Sequence, residues 1–279
     1  MPELPEVETI VRRLRDGTSE SPSVRGQNIQ SVQVNWDRII AAPDVDDFRE
    51  ALTGKTITDA RRRGKFLHFP LDEGHLIGHL RMSGDMRMES RLGPDGSQRP
   101  PEPYDRAVFT LASPFLLVFS NVRKFGRLWY TDDPQTVLGA LGPEPLDPDF
   151  SPAQLYEGLQ ARTRQIKPLL MDQTFIAGLG NIYTDEALFR AQIHPLRKSD
   201  SLSPDEADRL HKAIQQVLQQ GIRRFGASLD WFYRGGQFQN DFNAYGRVGE
   251  ACPVCGTQIV KITVGQRGTH FCPRCQTPG

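Results

Sequence analysis

The chain lacks three features that would each place it in a familiar class: excess charge of one sign, long apolar runs, and cysteines spread along the sequence. It has 34 Lys and Arg against 34 Asp and Glu, a formal net charge of zero. This excludes the strongly basic total of many nucleic-acid-binding domains, but not a local basic face, because binding follows the local field. No stretch approaches the ~20 apolar residues of a membrane span, so no membrane partner is expected.

The first residues of the sequence do not have the pattern of a secretory signal peptide. The first residues, Met1-Pro2-Glu3-Leu4-Pro5-Glu6, are acidic and proline-bearing, whereas a signal peptide is basic and then apolar. We therefore expect a cytoplasmic protein. Its 279 residues predict about two domains.

The zero net charge conceals an uneven distribution along the chain. Counting residues in the sequence, 1–60 carry 7 basic and 11 acidic groups, and 61–130 carry 12 and 7. Residues 131–160 carry 0 and 6, and residues 161–279 carry 15 and 10. Two basic regions thus flank an acidic segment that is rich in proline and glycine, which predicts a linker there.

The hydrophobic pattern before the linker favours β-structure, and the pattern after it favours helices. Short segments rich in branched and aromatic residues predict an antiparallel β-sandwich; they are Thr56–Arg61, Phe66–Leu71, His75–Leu80, Ala107–Leu111, Phe115–Phe119 and Leu128–Tyr130. Residues 91–104 read as a surface loop.

Three helices have clear sequence signals. Pro5 starts a helix with Glu6 and Glu8 in its first turn, and a stripe of Val7, Ile10, Val11 and Leu14 should be buried. After the linker, Ser203 with Glu206 forms a capping box. Another helix begins at Asn181 after a glycine-rich turn, residues 177–181, whose N–H groups could bind a phosphate.

All four cysteines lie near the end of the chain, in two CxxC pairs: Cys252, Cys255, Cys272 and Cys275. The spacing is typical of zinc ribbons, with strands 258–264 and 269–271 joined by a turn over 265–268. Four sulfur ligands predict one closed, structural Zn²⁺. The alternative is a redox pair of CxxC motifs, but the βαβ pattern of such proteins is missing. Arg267 on the turn could reach a phosphate or simply be solvated.

Several ordered motifs together resemble the bacterial formamidopyrimidine-DNA glycosylases, over essentially the whole chain. They include the start Pro2–Thr9, His79–Gly84, Lys124–Gly126 and Gly178–Tyr183, with the four-cysteine ribbon at the end. The resemblance implies an α+β, multidomain protein with an N-terminal antiparallel β-sandwich, a flanking helix, a helix–two-turn–helix domain and a β-hairpin zinc finger. The expected domains are residues 1–133, a linker at 134–151, a helical domain at 152–242 and the finger at 243–279.

The expected activity is that of a bifunctional DNA glycosylase and abasic-site lyase that excises oxidised purines. Removal of Met1 would leave Pro2 with a free amine, whose ordinary pKa of about 7.7–8.0 allows nucleophilic attack on the sugar. Without the other motifs, Pro2 would be read only as shaping the N-terminus. The resemblance implies that Glu3 is the general acid/base, and it places Lys65 and Arg267 in the active site. Glu6 also matches the family pattern. Its alternative role is structural, because an acidic residue at a helix N-terminus stabilises the helix.

The same resemblance assigns DNA contacts. Met82, Arg123 and Phe125 match the residues that fill the gap left by an extruded nucleotide, although Met82 and Phe125 would by composition be core residues. Lys167, Asn181 and Arg267 match contacts to the DNA backbone; Asn181 could otherwise be a helix cap. The damaged base should sit under a loop over residues 227–242.

This chain departs from the family at one of these motifs. Asn121-Val122-Arg123-Lys124-Phe125-Gly126 stands where the family commonly has Asp-Pro-Arg-Arg-Phe-Gly.

The expected partner is double-stranded DNA with oxidised bases or abasic sites, bound between the domains by a bacterial, monomeric enzyme that associates with the nucleoid during repair. Two alternatives stay open. An endonuclease VIII-like enzyme would prefer oxidised pyrimidines, although that branch usually has glycine after Pro-Glu. A non-catalytic zinc protein would recognise damage without cutting.

Overall fold

The structure, a computed structural model, describes residues 1–93, 95–228 and 235–278. The chain divides into two compact units. The N-terminal unit comprises Met1–Pro2, Glu6–Ala140 and Ser228–Gly235, and the C-terminal unit comprises Glu3–Pro5, Leu141–Ala227 and Gly236–Gly279. Among the described residues, none of the helices is both long and apolar enough to cross a membrane.

Within its described residues, the N-terminal unit holds two sheets that share one core. The elements in chain order are α1 (Leu4–Asp16), β1 (Ile29–Val34), β2 (Ile40–Ala42), α2 (Val45–Leu52), β3 (Arg61–Arg63), β4 (Phe66–Pro70), β5 (His75–His79), β6 (Gly84–Ser90), β7 (Asp105–Leu111), β8 (Phe115–Asn121), β9 (Arg127–Thr131) and α3 (Gln135–Leu138). One sheet has the order β1-β7-β8-β6 and the other β2-β9-β5-β4-β3.

This arrangement confirms the predicted sandwich, with one parallel pair. Neighbouring strands are antiparallel except β2 and β9. The predicted stripe of α1, from Val7 to Leu14, is buried in the core with strand residues of both sheets. The 3.6-residue period of that stripe is what places the helix on the core.

One predicted strand, Thr56–Arg61, is wrong. Thr56 and Ile57 form only isolated bridges, and β3 begins at Arg61. Asp59 accounts for the break, because its carboxylate accepts the Ala60 N–H at 2.9 Å and pairs with Arg25 and Arg61. Such local side-chain bonds compete with a strand ladder.

The C-terminal unit is helical and ends in a hairpin. Its elements are α4 (Pro152–Gln160), α5 (Ile166–Leu170), α6 (Asn181–Ala191), α7 (Pro204–Arg223), β10 (Val260–Val264) and β11 (Arg267–Phe271). The capping box of Ser203 and Glu206 starts α7 as predicted, and α6 starts at Asn181.

The hairpin turn is shorter than predicted, because Gly265 and Gln266 both have positive φ and suffice for a two-residue turn. Arg267 and Gly268 therefore belong to β11.

Candidate functional site

The Glu3 carboxylate lies at the N-terminus of α6, within the C-terminal unit. Glu3 is 3% exposed and accepts the N–H groups of Gly180 at 2.8 Å, Ile182 at 3.0 Å and Tyr183 at 3.3 Å. A carboxylate at a helix start is favoured by the helix dipole and satisfies unpaired N–H groups. Within the turn over residues 177–181, the Gly180 N–H donates to Glu3 and the Gly178 N–H donates to the Gln173 Oε1 at 3.0 Å, so these two groups already have partners within the chain. The phosphate contact predicted for this turn stays a prediction.

The glycines of the turn make room for this N-terminal segment. A Cβ on Gly180 would lie 2.3 Å from the Glu3 Cδ. Gly178 has φ +92°, and a Cβ there would lie 2.5 Å from the Leu4 Cδ1. The motif Gly178-Leu179-Gly180 is thus required by the close approach of residues 3 and 4, while Leu4 N–H donates to the Gly178 carbonyl at 3.1 Å.

Replacing Gly180 with alanine is expected to displace Glu3. The added methyl group overpacks the site, which should lower the free energy of unfolding by about 1–3 kcal/mol and reduce any activity that depends on Glu3. Chemical denaturation and an activity assay measure the two effects. Gly158→Ala is the matched control, because the nearest atom to its Cβ would be at the edge of the Phe175 ring, at 3.1 Å. Equal behaviour of the two variants would contradict the argument.

Glu6 and Lys65 are both buried, in the N-terminal unit. Glu6 lies in the first turn of α1. Lys65 follows Gly64 in the turn between β3 and β4. Arg62 links this turn to α1, since it donates to the Gly64 carbonyl at 3.1 Å and to Glu8 at 2.9 Å.

The electrostatic surroundings of Lys65 include His79, at the end of β5. Burial, together with the cationic groups of Arg81 and Lys65, lowers the pKa of His79 to about 3. The imidazole Nδ1 accepts the Arg81 N–H at 3.0 Å. His79 is therefore a neutral residue at physiological pH, and sequence reasoning did not assign it a place beside Lys65.

The residues predicted to fill the duplex lie on two neighbouring loops of the N-terminal unit. Phe125 is 54% exposed, Arg123 is exposed and Met82 is half-buried. The Arg123 Nη1 lies 3.4 Å from the Met82 Sδ. Phe125 is thus a surface residue, and the alternative that it belongs to the core is wrong.

The predicted backbone-contacting residues converge on the hairpin. The Lys167 Nζ and the Asn181 Nδ2 each donate to the Gly268 carbonyl at 3.1 Å, directly after Arg267, which is exposed. Asn181 is the first helical residue of α6, and the N-cap position before it is Gly180. Lys167 is fully buried, and its ammonium pairs with the Asp185 carboxylate at 2.6 Å. Its positive charge is therefore balanced inside the protein. Burial lowers the pKa of Lys167, against the opposing effect of Asp185.

Sequence reasoning missed two buried acids that organise this unit. Asp185 also accepts the His270 N–H at 2.9 Å, which joins α6 to β11. Glu186 accepts the N–H groups of residues 243–245 at 2.8–2.9 Å. The sequence signal was a pair of adjacent acids in a helix that is otherwise rich in apolar residues. Acids in such a helix become buried, and buried carboxylates require hydrogen-bonding partners.

The four cysteines form one cluster. Their Sγ atoms lie within 4.8 Å of one another, with Cys255 and Cys272 at 3.5 Å and Cys252 and Cys275 at 3.9 Å. Tetrahedral Zn²⁺ with Zn–S bonds of about 2.3 Å needs sulfurs about 3.8 Å apart, whereas a disulfide needs about 2.05 Å. Donor type, number and spacing fit one structural Zn²⁺.

The predicted loop over the damaged base, residues 227–242, falls partly on residues 229–234, which lie outside the described residues.

Three protein-family models match the chain. "Formamidopyrimidine-DNA glycosylase N-terminal domain" matches residues 1–128, "Formamidopyrimidine-DNA glycosylase H2TH domain" matches 141–232, and "Zinc finger found in FPG and IleRS" matches 249–278. Together with the β-sandwich, the helix start at α6 and the cysteine cluster, these matches define a DNA glycosylase with a helix–two-turn–helix domain and a zinc finger.

Full-length relatives narrow this class. The chain is 42% identical to a formamidopyrimidine-DNA glycosylase of Brevibacillus brevis, with 99% of both chains covered, and 43% identical to that of Geobacillus kaustophilus, with 99% and 100% covered. The Lactococcus lactis Fpg bound to DNA with an abasic site superposes with a TM-score of 0.88 at 38% identity, with 99% of each chain covered. MutM bound to DNA with carbocyclic 8-oxo-G gives 0.88 at 39% identity, with 99% and 100% covered. The chain belongs to the formamidopyrimidine-DNA glycosylase family.

Proposed function

We propose that this protein is a bifunctional DNA glycosylase and abasic-site lyase of base excision repair that excises oxidised purines such as 8-oxoguanine and formamidopyrimidines. The observation that carries the proposal is the buried Glu3 carboxylate, held by three backbone N–H groups directly after Pro2. A proton-transferring group next to a potential amine nucleophile suits this chemistry. Full-length relatives of the family support the substrate class.

The reaction starts once Met1 is removed and the Pro2 nitrogen is a free secondary amine. Its lone pair forms a bond to the sugar C1′ as the bond from C1′ to the base breaks, and the departing base takes up a proton. The Pro2 nitrogen then loses its proton, and the ring oxygen O4′ takes up a proton as the bond from C1′ to O4′ breaks. Ring opening leaves a positively charged iminium, which acidifies the neighbouring C–H bonds. Loss of a C2′ proton then expels the 3′ phosphate, and a second elimination expels the 5′ phosphate.

The other site residues take the roles that their positions permit. Glu3 exchanges protons beside the amine, and Lys65, in the turn between β3 and β4, contacts the lesion and a nearby phosphate. Glu6 supports the start of α1, with a less direct part in catalysis. Arg267 binds a phosphate of the reacting strand, while Asn181 and Lys167 contribute to backbone binding by holding Gly268 beside it.

DNA recognition relies on Met82, Arg123 and Phe125, which enter the duplex when the damaged nucleotide is extruded.

We further propose that the enzyme acts as a monomer at the bacterial nucleoid, with the domains at residues 1–133, 152–242 and 243–279.

A lesion panel with borohydride trapping tests the proposal. The processed enzyme should excise 8-oxoguanine opposite cytosine faster than thymine glycol and should become covalently linked to both lesion and abasic DNA. Faster removal of thymine glycol would identify an enzyme of the endonuclease VIII type. Binding without any adduct would identify a non-catalytic protein.

A further inference from the structure

Asn121, at the end of β8, has its side chain between the two loops that carry the duplex-filling residues. We name these the Met82 loop, residues 80–84, and the Phe125 loop, residues 121–126. The side chain is 0% exposed. Its Nδ2 donates to the Leu80 carbonyl at 2.8 Å and to the Met82 carbonyl at 3.5 Å, while its Oδ1 accepts the Phe125 N–H at 2.9 Å. One amide group thus binds both loops.

The backbone of Asn121 is held as firmly as its side chain. Its N–H donates to the Tyr104 carbonyl at 2.9 Å, and its carbonyl accepts the Arg106 Nε–H at 2.8 Å. Both facing glycines are packed on the amide, since a Cβ on Gly84 or Gly126 would lie 2.7 or 3.0 Å from the Nδ2. The amide therefore has no room to turn away from either loop.

Both loops hold a strained backbone. Arg81, Ser83 and Lys124 have φ between +51° and +60°, which costs a non-glycine residue about 1–2 kcal/mol each. Such conformations persist when surrounding contacts impose them. The Lys124 ammonium lies 3.8 Å from the centre of the Trp36 ring, which anchors one side of the Phe125 loop, and the Asn121 amide anchors the other.

In this chain the site uses both halves of an amide, because the Nδ2 donates to the Met82 loop and the Oδ1 accepts from the Phe125 loop. Two carbonyl oxygens face the Nδ2, so an ionised aspartate, which only accepts, would place a second oxygen against them in a buried site. Here the chain departs from its family, which commonly has aspartate at this position.

We propose that Asn121 is a positioning residue that couples the Met82 and Phe125 loops, so that Met82, Arg123 and Phe125 enter the duplex as one rigid set and discriminate the base opposite the lesion. The inference rests on the proposed function, because it assumes that these three side chains enter DNA.

The test compares Asn121→Asp with the unmodified enzyme on three substrates. Single-turnover excision of 8-oxoguanine opposite cytosine should fall by about tenfold, the effect of a lost buried hydrogen bond, and the ratio of rates opposite cytosine and adenine should fall with it. Strand cleavage at an abasic site in single-stranded DNA, which has no gap to fill, should keep its rate. Should N121D not fold, N121A, which buries no charge, is measured in the same way.

Asn28→Asp is the matched control. The Asn28 Nδ2 also joins two segments of the N-terminal unit, through the Gly54 carbonyl at 2.6 Å, away from both loops, so N28D should retain the opposite-base ratio. An unchanged ratio in the Asn121 variants, or an equal loss in N28D, would overturn the inference while leaving the enzyme's function intact. An unmodified enzyme that forms no borohydride adduct with abasic DNA would overturn the proposed function and this inference together.

Discussion

Replacing Pro2 with glycine is expected to reduce borohydride-trapped adduct and base excision by about a hundredfold or more, as for the loss of a nucleophile in other enzymes. The reason is electronic. A secondary amine gives an iminium that is positively charged at every pH, whereas the imine from a primary amine needs a further proton to become an equally strong electron sink. Gel quantification of the trapped complex on abasic and 8-oxoguanine DNA measures the effect.

Pro5→Gly is the matched control, because it removes the neighbouring proline from the first turn of α1 without touching the proposed nucleophile. It should retain the adduct, apart from any loss in stability. Undiminished trapping by Pro2→Gly, with no other amine found in the adduct by peptide mapping, would contradict the mechanism. Retention of Met1 on the unmodified protein should have the same effect as losing Pro2, because the nitrogen would remain an amide.

Replacing Cys255 with serine is expected to release the metal and to weaken binding to lesion DNA by at least about tenfold. Structural zinc supplies about 10–16 kcal/mol in isolated fingers, so a three-sulfur site should not maintain the hairpin. The hairpin carries Arg267 and presents the Gly268 carbonyl that accepts from Lys167 and Asn181. Zinc content per chain and the DNA dissociation constant at fixed salt are the two measurements.

Val254→Ser is the control for this change. Val254 lies between two ligands and is 65% exposed, so its replacement should leave one zinc per chain and the DNA affinity unchanged. Full DNA affinity of Cys255→Ser without bound metal would show that the finger is dispensable for recognition.

Much of the fold followed from local patterns. The apolar stripe of α1, the capping box of α7 and the CxxC spacing each depend on residues within a few positions of one another, and the structure bears out all three. The errors had two causes. The side chain of Asp59 makes local bonds that compete with strand pairing, and the hairpin turn at Gly265 and Gln266 needs fewer residues than expected.

The candidate site was predictable as a set of residues but not as an arrangement. Family motifs identified Pro2, Glu3, Lys65 and Arg267, whose roles stay predictions. They did not indicate that the backbone of α6 holds Glu3, or that Lys167 is buried against Asp185. Each of those contacts joins segments far apart in the chain, and no periodicity or spacing carries that information.

The sequence by itself determined where α6 and α7 begin, which face of α1 is buried, that four sulfurs can bind one metal, and the family. These follow from short-range backbone geometry, from the period of apolar residues and from the chemistry of side chains. Only the tertiary structure decided which buried polar groups meet: Glu3 with residues 180–183, Asp185 with Lys167 and His270, and the Asn121 amide with two loops. A buried donor or acceptor must find a partner, and folding brings that partner from wherever in the chain the packed core places it.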